Sequence, residues 1–278
     1  MLHLVRLIVI ASCLLGPLAA PLAAQGTSGT LPGPITTGDL HKYAARLELS
    51  VPQRQAAESF HDQYKVRFDA LRKGDISRFL KDMAKLQGDS AGGLPPREAV
   101  VDFLQERKNL LNRIRTLDRR LLADMKVVLT EEQSDLLPRI DLWRRRDKVM
   151  AAGMGFLNLA GPTIDLVEIL SSLDSEVVFS DDADKALSSW EYSTTKELEL
   201  AQQATDELIL TMIDRLAEMG YDQEAAVADP EMMRSVMIVM DEVTSSNKVI
   251  AGEITRRTLR SARQIAQAME EGGGRDFL

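Results

Sequence analysis

Glu58 and His61 stand three residues apart in the stretch ESFH. That step lets a carboxylate and an imidazole on one helix share a metal in ferritin-like di-iron bundles. Such a site needs a second pair of the same kind and two further inward glutamates. His41, the other histidine beyond the N-terminal apolar run, has Gly38 where the glutamate would stand. Both members of the ESFH pair are therefore expected on a solvated helix flank. The di-iron bundle is a remote alternative, and no metal or other cofactor is assigned.

Asp181, Asp182 and Asp184 follow Ser180 and complement the positive end of a helix; they lack the alternating carboxylates and glycine of a calcium loop. Arg144, Arg145 and Arg146 are expected to form a solvated helix face, with contact to lipid or an acidic client as the alternative. No nucleophile elbow, zinc-protease helix, phosphate-binding loop or dinucleotide turn occurs. Cys13 is the only cysteine and lies in the N-terminal apolar run, which removes thiolate chemistry and disulfides from the rest of the chain. The chain is not expected to be an enzyme.

Binding chemistry is better represented. Seven of the twelve methionines lie between Met212 and Met269, and flexible thioethers adapt to partners of many shapes. Met233 and Met240 fall on the apolar seam of a helix. Met232 and Met237 fall off its centre and are the candidates for a client-binding surface. The aromatic stripe Phe60, Tyr64 and Phe68 is the next candidate.

The elements that carry these residues are helices. Apolar residues recur at three and four positions, strand-like alternation is missing, and only 5% of residues are aromatic. A short helix is expected over 39–48. A long one follows with Ala57, Phe60, Tyr64, Phe68 and Leu71 on one face, then Ile76, Phe79, Met83 and Leu86. Gly74–Asp75 is expected to kink or interrupt it, with Asp75 as a fresh cap. After a turn at 87–96, a return helix runs from Arg97 to about Val128. The next helix is expected to bend at Pro138. The second half repeats the plan: a short helix over 161–173, a long helix ending at Gly220, and a last helix opened by Asp229–Pro230 and closed before the glycines at 272–274. Asn247 interrupts the seam of that last helix.

Three similar signals punctuate the helices. Leu49, Ser50 and Gln53 in LSVPQ are matched by Leu129, Thr130 and Gln133 in LTEEQ, and more loosely by Phe179 and Ser180 in FSDDA. A hydroxyl residue followed three positions later by Gln is a capping box, satisfying two otherwise orphaned N–H groups. The expected fold is all-α, with long antiparallel, coiled-coil-like helical hairpins.

Residues 1–24 combine Arg6, an apolar run and small residues before Gln25, the pattern of a signal peptide cleaved near Ala24. Gly16, Pro17 and Pro21 interrupt the run, so no stable membrane span is expected. A lipoprotein anchored through Cys13 is the minor alternative. Residues 25–37 are expected to be a flexible linker, 38–150 one helical unit, 151–178 a connector, 179–271 a second hairpin and 272–278 a flexible tail. Residues 25–150 carry 23 Lys and Arg against 18 Asp and Glu, whereas 151–278 carry 10 against 24. The acidic half argues against nucleic acid as a partner. The asymmetry leaves two readings open: the halves attract one another, or each meets a different partner.

With its export signal and the order short helix, LSVPQ, long helix, return helix, LTEEQ, the chain resembles the Spy/CpxP family of exported LTxxQ-motif proteins over roughly residues 38–150. The resemblance implies a periplasmic or secreted, often dimeric helical cradle that acts without ATP as a chaperone or envelope-stress accessory. Its partners would be unfolded or partly folded proteins, with a homodimer as a further option. A non-catalytic scaffold or adaptor is the alternative function.

Overall fold

The computed structural model describes residues 31–89, 94–151, 165–171, 180–221 and 229–271. The fold is all-α, and no strand occurs among the described residues. Nine α-helices follow in order among them: α1 (Thr37–Arg46), α2 (Val51–Leu71), α3 (Ser77–Asp89), α4 (Arg97–Lys126), α5 (Glu131–Asp135), α6 (Leu137–Ala151), α7 (Leu166–Ser171), α8 (Asp181–Glu218) and α9 (Pro230–Glu271). The export signal, Phe179 and the glycines at 272–274 lie outside the described residues, as do the side chains of Asn247 and Met269.

Residues 72–76 do not interrupt the long helix. They form a π-helical turn that joins α2 directly to α3, with no fresh cap at Asp75. The apolar stripe explains why. Leu71 and Ile76 are both buried although five residues apart, one more than an α-helical turn carries on the same face. The wider turn absorbs the extra residue and keeps both side chains facing the core. Asp75 instead accepts from Arg113 of α4 at 2.8 Å.

Contacts between α2–α3 and α4 run in opposite chain order: Tyr64 meets Asp118, Asp75 meets Arg113, and Phe79 stacks on Phe103 with ring centroids 4.8 Å apart. The same opposite order holds between α8 and α9. Met212 and Leu216 pack with Val236, Val239 and Val243, Leu198 and Ala201 with Ile254, and Trp190 Nε1 donates to Thr258 Oγ1. Gly220 stops α8 with φ 65°, in the left-handed region where glycine carries no Cβ penalty. Pro138 does not bend a continuous helix. The chain breaks at Leu136, and Pro138 occupies the first turn of α6, where its missing N–H removes no helical bond.

The main apolar core is common to both halves of the chain. Leu40 and Tyr43 of α1, Ile114 and Leu121 of α4, Ile140 and Trp143 of α6, Leu187 and Trp190 of α8 and Ile265 of α9 form one cluster. Leu31 and Ile35 belong to it too, each 1% exposed. The last part of the expected flexible linker is thus core, because its two aliphatic side chains are removed from water.

The two cap motifs meet across the first half. Thr130 and Gln133 make both bonds of a capping box: Thr130 N donates to Gln133 Oε1 (3.0 Å) and Gln133 N to Thr130 Oγ1 (3.3 Å). Ser50 N donates to Gln53 Oε1 in the same way. The glutamines do more than cap. Gln53 Nε2 donates to Val128 O and to Gln133 Oε1, each at 2.8 Å, while Gln133 Nε2 donates to Leu47 O at 2.9 Å. Each motif therefore satisfies a carbonyl at the end of the helix that precedes the other. Thr130→Ala is expected to cost about 1 kcal/mol, the usual loss of a cap. Gln133→Ala is expected to cost about twice as much, since the clasp is lost with the cap. Denaturant midpoints of the single variants and of a Gln53/Gln133 double-mutant cycle test this; zero coupling between the glutamines contradicts the clasp.

Candidate functional site

The three consecutive arginines do not form a solvated face. Successive helical residues diverge by about 100°, so a run of three cannot point one way. Arg144 Nε donates to Asp118 Oδ2 of α4 at 3.0 Å. Arg145 makes two bonds to Glu199 of α8, at 2.8 and 2.5 Å. Arg146 Nε donates to Asp165 Oδ2 at 3.1 Å, and its guanidinium lies 4.8 Å from the Trp190 ring centroid. Arg144 and Arg146 are buried, and α6 is the charged axis of the molecule.

Glu191 is the centre of the arrangement and is fully buried. Arg46 Nη2 donates to Oε1 at 2.7 Å and Arg139 Nε to Oε2 at 2.6 Å, with Arg146 Nη2 3.9 Å from Oε1. One carboxylate from the acidic half thus faces three guanidiniums supplied by α1 and α6. Fork-shaped donors suit this, since each reaches a carboxylate in its plane. The usual cost of burying a charge is offset by close opposite charge and directed hydrogen bonds.

The same face of α8 carries further carboxylates at intervals of seven or eight residues, about two helical turns. Asp184 pairs with Arg139, Glu199 with Arg145, Asp206 with Arg107 and Asp214 with Arg97. Arg107 is 1% exposed, and its burial holds the guanidinium below its ordinary range despite Asp206. The acidic and basic halves therefore engage each other along most of α8. The charge difference between them was visible in composition. The stripe Asp184, Glu191, Glu199, Asp206 and Asp214 was legible only by counting carboxylates in two-turn steps.

A second buried group surrounds Asp118. Besides Arg144 it contacts Lys148 Nζ and accepts from Tyr64 Oη at 2.8 Å. Burial depresses the Lys148 ammonium, with Asp118 opposing the shift. Burial acts on Arg144 in the same sense, but Asp118 and the nearby tyrosines outweigh it. Asp147, one turn from Arg144 on α6, is half-buried. Burial and the neighbouring Asp165 raise its carboxyl to about 6.

His61 is not on a solvated flank. It is 2% exposed, its Nε2 lies 2.8 Å from Ile35 O, and its ring stacks on Tyr64. Glu58 is exposed and lines, with His41, Leu40 and Arg54, a shallow cavity of about 270 Å³ between α1 and α2. Among the described residues no three His, Cys, Asp or Glu side chains converge as a metal ion requires. Asp181, Asp182 and Asp184 occupy the first turn of α8, capped by Ser180 Oγ, which accepts from Ala183 N at 3.2 Å.

The proposed client-contacting residues separate into two sets. Tyr64 and Phe68 are each 1% exposed, so the aromatic stripe is turned inward and does not form an open surface; Phe60 packs half-buried against the same core. Their spacing on α2 matches the core face of that helix, and α4 covers it. Met237 is 52% exposed and Met232 half-buried, whereas Val236, Val239 and Val243 occupy the seam toward α8. Ile238, beside Met237, is 55% exposed. No helix among the described residues is long and apolar enough to cross a membrane. No protein-family model matches the chain, and neither a curated protein nor a solved structure matches it.

Proposed function

We propose that the protein is an exported, non-catalytic binding protein that shields apolar stretches of partly unfolded clients without ATP. The observation that carries this reading is the exposed pair Met237 and Ile238 near the start of α9, with the half-buried Met232 in the first turns of the same helix. These side chains lie outside a seam already filled by valines. A thioether beside an aliphatic side chain offers adaptable apolar contact with little demand on partner shape. The resemblance to the Spy/CpxP proteins points the same way, as does the signal-peptide pattern at the N-terminus.

The test is aggregation suppression, without nucleotide, on several unrelated unfolding clients. Met232→Gln combined with Met237→Gln should preserve helicity, since the two residue types have similar helix propensity. Melting should change by at most about 1 kcal/mol, because neither side chain is fully buried. Client protection should fall severalfold. Unchanged melting with unchanged protection removes the methionines from the mechanism.

A scaffold or adaptor is the second reading, favoured by the burial of Tyr64 and Phe68 and by the ion pairs that occupy one face of α8. In that case the parent protein protects none of the clients while remaining fully folded.

A further inference from the structure

The segment Leu31–Thr36 precedes α1 without regular structure, yet its backbone is held by three side chains from two different helices. Ile35 N donates to Tyr64 Oη of α2 at 2.9 Å. Ile35 O lies 2.8 Å from His61 Nε2, which donates to it, also from α2. Gly33 O accepts from Arg144 Nη2 of α6 at 2.6 Å. Leu31, Pro32 and Ile35 are buried between these contacts.

We propose that the cleft formed by His61, Tyr64, Asp118 and Arg144 is a recognition site for an extended, proline-containing peptide with aliphatic side chains four residues apart, occupied in cis by residues 31–36. The main chain supplies the polar contacts and two aliphatic anchors supply the apolar ones, a division used by sites that take extended peptides. Pro32 and Pro34 suit the occupant for two reasons. They restrict its backbone before docking, and they carry no N–H that would need a partner within the cleft.

The walls are held independently of the occupant. Tyr64 Oη donates to Asp118 Oδ1 while accepting from the segment, and Arg144 bonds the same carboxylate through Nε. Lys148 contacts Asp118 from the side, and the His61 ring stacks on Tyr64 at 5.9 Å. Each group that touches the peptide backbone thus has a second contact within the helices. The site is preorganised, which lowers the ordering cost of binding. It goes beyond the proposed methionine surface and is read out by peptide capture, not client protection, so either can fail without the other.

Ile35→Ser in the full chain should loosen the segment and leave the cleft open to a competitor in trans. A fluorescent peptide with the sequence of residues 28–37, SGTLPGPITT, is expected to bind this variant roughly tenfold or more tightly than the parent, where the tethered segment competes at high effective concentration. The same peptide with Leu and Ile replaced by Ser should not bind. A variant with parental circular dichroism that binds the peptide no better than the parent overturns the proposal. Should Ile35→Ser fail to fold, amide exchange on the unaltered chain decides. Millimolar peptide should raise exchange within residues 31–36, and the Ser-substituted peptide should not; unchanged exchange with both refutes the site.

Discussion

Glu191→Gln is expected to lower the unfolding free energy by about 3–5 kcal/mol, the range for removing one partner from a buried ion pair. The glutamine amide conserves volume, so the space filled by the Glu191 side chain stays filled. What is lost is the charge that faces Arg46, Arg139 and Arg146. Arg139 keeps Asp184 and Arg146 keeps Asp165. Arg46, whose guanidinium lies 5.7 Å from the Trp143 ring centroid, loses its carboxylate partner at Glu191. Burial already holds that guanidinium below its ordinary range, with Glu191 as the strongest opposing influence. Glu199→Gln is the matched control. Its side chain is 31% exposed, and solvent screening should limit the cost to about 1 kcal/mol. Urea unfolding of both variants at one ionic strength is the measurement. Equal, small effects would contradict a central role for Glu191 in joining the halves.

Asp147→Asn should act in the opposite direction and depend on pH. The Asp147 carboxyl is raised to about 6 by burial, then by Asp165, with Asp39 and Glu168 acting in the same sense and Arg144 against it. In the unfolded chain it titrates near 4. The folded protein therefore holds this proton more firmly, and the associated stability is fully present below about pH 4. It is lost as pH rises through about 6. At roughly 1.4 kcal/mol per pH unit, the ionised side chain costs up to ~3 kcal/mol at neutral pH. Asparagine stays neutral, so the variant should be more stable than the parent by up to that amount at pH 7.5 and nearly equal to it at pH 4. Thermal melts across this interval, corrected for the pH response shared by both proteins, provide the check. A parallel pair of curves would mean that Asp147 does not titrate there.

Both predictions concern side chains whose importance is tertiary. Helix identity and most boundaries were legible along the chain, because they depend on local physics. A period of three to four places one face of each helix against the core, and Thr130, Ser180 and Gly220 act on backbone groups within a few residues of themselves. The return helix and the two long helices of the acidic half accordingly fall close to where periodicity puts them. Even the π-helical turn has a local trace, the five-residue step from Leu71 to Ile76. The glutamine of a capping box was legible as a cap. Its second bond was not, since Gln53 and Gln133 meet only when two helix ends are brought together.

Burial of polar groups depended wholly on that assembly. His61, Arg144 and Arg146 look like ordinary surface residues in one dimension, because a charged side chain is normally solvated and pairing changes the balance only where a partner arrives. The partners are distant in sequence: Ile35 for His61, Asp118 for Arg144, Asp165 and Glu191 for Arg146. The net charges of the two halves announced attraction as one option. Which carboxylate would be enclosed, and that the segment before α1 would be core instead of linker, followed from how α1, α4, α6 and α8 pack. Coulomb and hydration energies change most steeply with local geometry and exclusion of water, and neither is a property of a residue's neighbours along the chain.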